Sequence, residues 1–286
     1  MTTATEIGAS YGVGNDFFRL WLDSKMNYTC AVFDDTDDLD QAQLAKLAVM
    51  YDFARVRTDT RVLDIGCGWG ANLEYLVRER QVAEVHGITL SADQHAEILR
   101  RDLPRVTAEC VDYRDYRPTE RFDAVISICM IEHVCRPEQA GTAQGVAQYR
   151  DYFRRAWEWT TPGASFGLQC ILRDRVPRSP EDIRELGWFS RRIFPGGIAP
   201  RMEDIVQAVG PYWEIDRIRT RRSDYLRTFE HWLDRLRRHE SRIASTWDPQ
   251  LFADYERFLI ACLHAFEHRY LSLAQWSLRR VDKPMT

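Results

Sequence analysis

The sequence predicts a doubly wound α/β domain, with a mostly parallel β-sheet and helices on both of its faces. Apolar, strand-like segments alternate with segments of helical spacing from Thr60 to Ile171, which is typical of this fold class. The first strand-like segment runs into a glycine-rich turn and then into a helix, as in sheets that bind a ligand at that turn. The chain has no internal repeat and no low-complexity linker. One elaborated domain is therefore predicted rather than two.

Each element of the predicted sheet has a local signal. Apolar runs bounded by turn residues predict five strands, which are TRVLDIGC, VAEVHGITL, VTAECVDY, FDAVISICM and ASFGLQCIL. The segment ANLEYLVRER after the glycine turn has helical spacing, and so does SADQHAEILRRDL. Ser91 is the expected N-terminal cap of the second of these helices. A longer helical stretch precedes the fifth strand.

The pattern changes after Ile171. RVPRSPED and RIFPGGIAP are rich in proline and glycine and predict loops. The strand-like WEIDRIRT comes next, followed by an aromatic helical region from Tyr225 to Tyr270 and a last strand-like segment, LAQWSLRRV. This part of the chain predicts a helical addition to the sheet together with its final strands.

Composition and charge argue against several functions. The 286 residues carry a formal net charge of −4, and the arginine-dense segments lack a nucleic-acid-binding motif, so no nucleic-acid partner is expected. No apolar run approaches the roughly 20 residues of a membrane helix, and MTTATEIGAS has no basic leader, so a cytoplasmic protein is expected. Seven cysteines without a C-x-x-C pair argue against a disulfide framework and against a metal site.

The stretch VLDIGCGWG, residues 62–70, is the most informative motif. Gly66, Gly68 and Gly70 come at every second position after Asp64. Such glycines let a ligand lie against backbone N–H groups at the start of a helix. The spacing is G-x-G-x-G and not the G-x-G-x-x-G of dinucleotide-binding proteins. With Asp64 before it, the turn resembles motif I of class I methyltransferases, which bind S-adenosylmethionine and whose acid can receive the ligand's ammonium.

Further segments extend the resemblance to nearly the whole chain. They are similar, in the same order, to blocks of cyclopropane-fatty-acid synthases and the related mycolic-acid methyltransferases. The blocks are YGVGNDFFRLWLDSKMNYTCAVFD (11–34), QAQLAKL (41–47), VLDIGCGWG (62–70), GITLSADQ (87–94), DYRDY (112–116), FDAVISICMIEHV (122–134), IFPGGIAP (193–200) and SDYLRTFEHW (223–232). The resemblance implies a class I methyltransferase (Rossmann-like) fold with a helical cap over residues 1–50, a cofactor-binding core over 51–171, and lid helices and final strands over 172–286.

The resemblance also implies a site for S-adenosylmethionine. It consists of an N-terminal segment that closes over the cofactor, the glycine turn under its methionine part, a segment that meets the ribose and a segment that flanks the adenine. In that order, the matching positions are Tyr28 and Thr29, then Gly66 and Gly68, then Thr89, Leu90 and Gln94, and finally Tyr113 and Arg114. Leu90 and Tyr113 could equally be ordinary packing residues.

The resemblance implies a catalytic centre as well. In cyclopropane synthases an alkene attacks the methyl group of the cofactor, and a proton then leaves the new methyl as a ring closes. A bound bicarbonate is thought to accept that proton, and the positions that match its binding residues are Cys30, Glu132, Gln169, Ile171 and Tyr225. The family has histidine where this chain has Gln169. Glutamine cannot carry a positive charge or relay a proton near neutrality, which puts bicarbonate binding in question.

Simpler roles stay open for these positions. Glu132 could cap the next helix, Cys30 could fill apolar space, and Tyr225 could anchor a helix. The segment RPEQAGTAQGVAQ (136–148) looks longer than its family counterpart and could reshape the acceptor entrance beside Glu132.

The expected function is methyl transfer from S-adenosylmethionine to an apolar, electron-rich small molecule, a specialised metabolite, at a carbon atom. A short chain without a further lipid-handling domain, the lack of a recognisable basic membrane-binding helix, and Gln169 favour this acceptor over a lipid. One alternative is cyclopropanation or methylation of an unsaturated fatty acyl lipid. Another is a cofactor-binding or scaffolding protein without catalysis. No integral membrane association is expected, and the sequence does not predict the oligomeric state.

Overall fold

A seven-stranded sheet forms the centre of the structure, which is a computed structural model that describes residues 2–283. The strand order is β3-β2-β1-β4-β5-β7-β6. The first five strands are parallel, and β7 lies antiparallel between β5 and β6. The strands are β1 (Arg61–Ile65), β2 (Glu84–Thr89), β3 (Val106–Cys110), β4 (Phe122–Ile128), β5 (Thr160–Arg173), β6 (Trp213–Thr220) and β7 (Leu271–Arg280).

The predicted doubly wound fold is confirmed by this topology. The order of strands reverses at β1, which pairs with β2 on one side and with β4 on the other. In open α/β sheets, ligands bind beyond the carboxyl ends of the strands at such a reversal. The glycine turn follows β1 directly, so the sheet itself places this turn at the expected ligand position.

Helices cover both faces of the sheet because alternate residues of each strand point in opposite directions. On β4, Ala124 and Ile126 pack in the core beneath α3, whereas Val125 packs in the core beneath α6. The helices are α1 (Ala4–Tyr11), α2 (Asn15–Trp21), α3 (Leu39–Phe53), α4 (Ala71–Glu74), α5 (Ala92–Arg100), α6 (Ala143–Glu158), α7 (Pro180–Arg192), α8 (Met202–Val209), α9 (Arg222–Arg238), α10 (Glu240–Thr246) and α11 (Pro249–Glu267). A single π-helical turn, Tyr75–Glu79, continues α4.

The N-terminal segment between α2 and α3 is hydrogen-bonded to α9. The backbone N–H of Ala31 donates to Thr228 Oγ1 at 3.1 Å, and that of Phe33 donates to Asp224 Oδ1 at 3.1 Å. Around these contacts, residues of α2, α9 and α11 form an apolar cluster rich in aromatic rings. The cap therefore packs directly on helices that come more than 180 residues later in the chain.

Two features of the second half differ from the prediction. RVPRSPED is not a loop throughout, because Ser179 caps α7 by accepting hydrogen bonds from the N–H groups of Glu181 and Asp182, and Pro180 occupies its first turn. Proline is well tolerated there since that N–H has no partner inside the helix. The helical region from Tyr225 to Tyr270 is divided into α9, α10 and α11.

Candidate active site

A cavity of about 470 Å³ lies at the carboxyl ends of β1, β2, β4 and β5. Its wall also includes residues of the N-terminal segment and of α7, α9 and α11. Most of the predicted site residues line it, namely Tyr28, Thr29, Asp64, Gly66, Gly68, Thr89, Leu90, Gln94, Tyr113, Glu132 and Tyr225. Cys30, Arg114 and Gln169 do not.

The glycine turn needs its glycines for two different reasons. Both Gly66 and Gly68 have positive φ, +82° and +54°, which residues with a Cβ seldom adopt. A Cβ on Gly66 would lie 2.6 Å from Cγ of Met130, so this position is closed by packing. A Cβ on Gly68 would meet no atom within 4 Å, so it would project into the open cavity. The turn thus leaves a bare stretch of backbone on which a cofactor can lie.

Asp64 lies beside this turn at the end of β1, where it is 1% exposed. Asn72, in α4, donates its side-chain N–H to Asp64 Oδ2 at 2.9 Å. Burial raises the pKa of Asp64 to about 6. The side-chain oxygen of Asn72 is itself buried, and no described residue donates a hydrogen bond to it. Two acceptor groups therefore face the cavity where a ligand's ammonium is expected.

The segment matched to the ribose is held in place by hydrogen bonds between its own residues. Thr89 Oγ1 donates to Gln94 Oε1 at 2.8 Å, and Ser91 Oγ accepts from the N–H of Gln94 at 3.3 Å, which confirms Ser91 as a helix cap. Of the two residues matched to the adenine segment, Tyr113 lines the cavity. The guanidinium of Arg114 pairs instead with Asp112, with Nη2 at 2.6 Å from Oδ2. The structure gives Arg114 no contact with the cavity.

The N-terminal segment contributes Tyr28 and Thr29. The ring of Tyr28 packs against those of Trp21 and Trp232, with centroids 5.2 and 5.3 Å away. Its hydroxyl group is buried and has no hydrogen-bond partner within the described part of the chain. Thr29 Oγ1 accepts a hydrogen bond from Nζ of Lys46 at 3.1 Å. The cap thus brings an aromatic ring with an unused hydroxyl to the cavity wall.

Glu132 lies in a short 3₁₀ turn after β4, near the middle of the sheet. Its Oε1 accepts the backbone N–H of Ile171 at 2.7 Å, whereas its Oε2 is buried and has no hydrogen-bond partner among residues 2–283. Burial raises the pKa of Glu132 to about 7. A carboxyl group with such a pKa and one free oxygen is suited to accept a proton at neutral pH.

Of the five positions matched to a bicarbonate site, Glu132, Ile171 and Tyr225 line the cavity. Gln169 is fully buried, its amide N–H lies 3.4 Å from the carbonyl oxygen of Cys30, and its Oε1 accepts from Gln275 at 2.8 Å. Tyr225 lines the cavity and stacks on Phe229 with centroids 4.4 Å apart, and burial raises its pKa. Because Glu132 takes the N–H of Ile171, that donor is not open to an anion.

The segment 136–148 does not form part of the cavity wall, contrary to the expectation that it reshapes the entrance. Its first residue, Arg136, pairs with Glu6 of α1 at 3.4 Å, and its later residues begin α6. His133 does line the cavity, and burial lowers its pKa to about 4.

Lys46, Asn72 and Cys129 line the cavity but were not identified from the sequence. Lys46 had a visible signal, since it occurs at helical spacing from Ala42 and Met50 on the buried face of α3. Asn72 lies in the first turn after the glycines, where a side chain naturally faces the ligand. Cys129 has φ +54° at the end of β4, which no sequence pattern predicts.

No helix within residues 2–283 has the length and apolar character needed to cross a membrane. Within the same range, no three His, Cys, Asp or Glu side chains are grouped so that they could hold a metal ion.

Comparisons with known proteins agree with the fold. Residues 1–276 match the family described as Mycolic acid cyclopropane synthetase. The chain is 32% identical over 266 residues to the cyclopropane-fatty-acyl-phospholipid synthase of Escherichia coli K12, a match that covers 93% of this chain and 65% of that protein. This chain thus spans just under two thirds of the length of that relative.

Solved structures extend this agreement to three dimensions. The cyclopropane synthase MmaA2 from Mycobacterium tuberculosis superposes with a TM-score of 0.87 at 27% identity, over 97% of this chain and 98% of that chain. Mycolic acid cyclopropane synthase CmaA1, in complex with SAH (S-adenosylhomocysteine) and CTAB, gives a TM-score of 0.86 at 25% identity, over the same shares of the two chains. These matches confirm S-adenosylmethionine as the cofactor, and the chain belongs to the mycolic acid cyclopropane synthetase family.

Proposed function

We propose that this protein transfers the methyl group of S-adenosylmethionine to the double bond of an unsaturated fatty acyl lipid and closes a cyclopropane ring there. The names of the relatives support a lipid acceptor, since one acts on fatty acyl phospholipid and others on mycolic acids. They give less support to the specialised metabolite that the sequence favoured.

The wall of the cavity on the lid side supports an acceptor with a hydrocarbon chain. Side chains from α7, the loop that follows it, α9 and α11 line it, and most of them are aromatic or aliphatic. Apolar surface of this kind gains roughly 25 cal/mol per Å² when a hydrocarbon displaces water from it. The residues are Leu186, Phe189, Phe194, Phe229, Trp232, Phe258, Cys262 and Phe266.

Two further arginines line an exposed part of the cavity wall. Arg173 and Arg175 line the cavity beside Val176, which is 65% exposed. The guanidinium of Arg173 donates to the carbonyl oxygen of Ala199 at 2.7 Å, and its nearest carboxylate oxygen, on Asp204, is 3.9 Å away. Positive charge at the end of an apolar cavity favours an acyl chain that ends in an anionic group.

The free oxygen of Glu132 is the observation that carries the proposed chemistry. The bound cofactor supplies a methyl group on a positively charged sulfur. The π electrons of the acceptor double bond would form the new carbon–carbon bond to this methyl group as its bond to sulfur breaks, which would leave a positive charge on the acceptor. Oε2 of Glu132 then takes a proton from the transferred carbon, and the released C–H electrons close the ring. Because Gln169 and the N–H of Ile171 are engaged elsewhere, Glu132 itself is the proton acceptor.

Product analysis with a trideuteromethyl cofactor tests the proposal. The protein is incubated with vesicles of an oleoyl phospholipid, with matched stearoyl vesicles as control, and in parallel with free oleate and an oleoyl thioester. We expect oleoyl lipid with two deuteriums retained, unreacted stearoyl lipid, and no change when bicarbonate is removed. Three retained deuteriums would mean methylation without ring closure. Transfer to none of the oleoyl substrates, but to a component of a metabolite extract, would overturn the lipid proposal.

A further inference from the structure

Two opposite charges are buried in the cavity wall without an ion-pair partner. Lys46 and Asp64 both line the cavity, and each is 1% exposed. Within residues 2–283, no carboxylate oxygen lies within 4.0 Å of Nζ of Lys46, and no lysine, arginine or histidine nitrogen lies within 4.0 Å of the Asp64 carboxylate. Charged side chains this deeply buried are ordinarily paired, so the cavity is the place to look for their partners.

The surroundings of Lys46 satisfy only part of its hydrogen-bonding capacity. Nζ donates to Asn27 Oδ1 at 2.9 Å and to Thr29 Oγ1 at 3.1 Å, and both acceptors are uncharged. Asp23 lies behind Asn27, but its carboxylate is taken by the Asn27 side chain and by backbone N–H groups. An ammonium group has three donors, so one is left for a ligand.

The free-energy cost of burying the Lys46 ammonium indicates that this group binds a ligand. Burying an unpaired cation costs several kcal/mol even after the protein relaxes. Lys46 lies on the buried face of α3 among Ala42, Leu47 and Met50, where an apolar side chain would pack without that cost. Burial lowers the pKa of Lys46 to about 8, even though the carboxylates of Asp23 and Asp64 act in the opposite direction. An anion bound in the cavity would offset the cost.

Asp64, on the same wall of the cavity, is a buried carboxylate that has no cationic partner within 4.0 Å among residues 2–283. Its carboxylate receives one side-chain donor, from Asn72 at 2.9 Å, and the unpartnered oxygen of Asn72 lies next to it. A buried cation and a buried anion that do not touch each other form a receptor for a zwitterion. The methionine part of S-adenosylmethionine is such a zwitterion, with an α-ammonium and an α-carboxylate on one carbon.

We propose that Lys46 binds the α-carboxylate of the cofactor's methionine part while Asp64 and Asn72 receive its α-ammonium. Lys46 also holds Thr29, which adjoins Tyr28 in the segment packed on α9. The carboxylate therefore completes a bonding network that fixes this segment against the cofactor. Lys46 acts in binding and positioning, and takes no part in the methyl transfer.

Calorimetric titration with S-adenosylhomocysteine and with its decarboxylated analogue tests this assignment without any turnover. In the parent protein we expect the analogue to bind roughly 10- to 100-fold more weakly, the range expected for a charge-assisted hydrogen bond. In Lys46→Met, S-adenosylhomocysteine should weaken by a similar factor while the analogue binds as it does to the parent. Lys25→Met is the matched control, because Lys25 is 44% exposed at its side chain and pairs with Glu74 outside the cavity. The control should keep the parent's preference.

Two results would overturn the proposal. One is equal binding of the two ligands by the parent, which needs no variant and so does not depend on how Lys46→Met folds. The other is a Lys46→Met or Lys46→Gln protein that loses affinity for both ligands by the same factor, since this would make Lys46 a structural residue. Lys46→Gln keeps hydrogen-bonding groups without the charge, so it separates the charge from the network around Thr29.

Discussion

The two halves of the cavity are built in different ways. The cofactor half is polar, comes from short segments at the ends of β1 and β2, and has side chains fixed by near neighbours, as Thr89 is by Gln94. The half proposed for the acceptor is aromatic and comes from α7, α9 and α11, which lie far from β1 and β2 in the sequence. A ligand recognised by a local motif can be predicted from sequence, whereas a pocket assembled from distant helices is known only once they pack.

The largest effect should come from adding a side chain at the glycine turn, where it would fill the cofactor half of the cavity. We expect Gly68→Val to abolish measurable binding of S-adenosylhomocysteine in calorimetry, because the added side chain enters the cavity at a position with φ +54°. Gly163→Val is the matched control, since Gly163 also has positive φ, +79°, and open space around it but lies outside the cavity. Normal binding by Gly68→Val would show that the turn does not hold the cofactor.

Glu132 lies where the two halves meet, so its replacement should separate chemistry from binding. We expect Glu132→Gln to lose at least about a hundredfold in turnover, the low end of the range for general acid–base groups. It should bind cofactor as the parent does and melt within a few degrees of it, because glutamine keeps the acceptor for the N–H of Ile171. Near-normal turnover would remove Glu132 from the mechanism, and loss of folding would make it structural.

The pH dependence of turnover tests the same role of Glu132 as proton acceptor. Burial raises the pKa of Glu132 to about 7, and only the carboxylate form can accept a proton. The rate should therefore rise with pH through about 7 and level off above it, and at one unit below the pKa it should be about a tenth of the plateau. The rate is measured at saturating cofactor, so that titration of the cofactor site does not contribute. A flat profile from pH 5.5 to 8.5 would contradict this role.

The smallest effect should come from a single contact in the acceptor half. Phe189 of α7 lines the cavity and packs on Phe258, with ring centroids 5.8 Å apart. We expect Phe189→Ala to raise the KM for the acyl substrate about three- to tenfold, from the loss of about 1 kcal/mol of apolar contact, and to leave cofactor affinity unchanged. Trp188→Ala is the control, because Trp188 lies under Arg257 and away from the cavity. An equal effect of both changes would mean that α7 as a whole had been loosened.

The sequence predicts the fold well because its signals are local. The five parallel strands and the cap at Ser91 each follow from a few neighbouring residues. Helix α7 was missed because the same SPED segment that reads as a proline loop also supplies a capping serine and a proline in the first turn.

The site is predicted less completely, because several of its interactions join distant residues. The amide of Gln169 is held by Gln275, 106 residues later, so its absence from the cavity wall could not be foreseen. Lys46 illustrates a different limit. Its position on a buried helix face was visible in the sequence, but its missing counter-charge becomes evident only when its neighbours are known.

The placement of β7 has a consequence for the order in which the chain folds. Strand β6 joins the sheet only through β7, which lies between it and β5, although β6 precedes β7 in the chain. During synthesis the parallel strands can pair as they emerge, but residues 213–220 must wait for residues 271–280. Because pairing at such sequence separation is slow, this edge of the sheet should form last and stay exposed to aggregation longest. Helices α9, α10 and α11 are made within that interval, so the acceptor pocket and the sheet edge should be completed together.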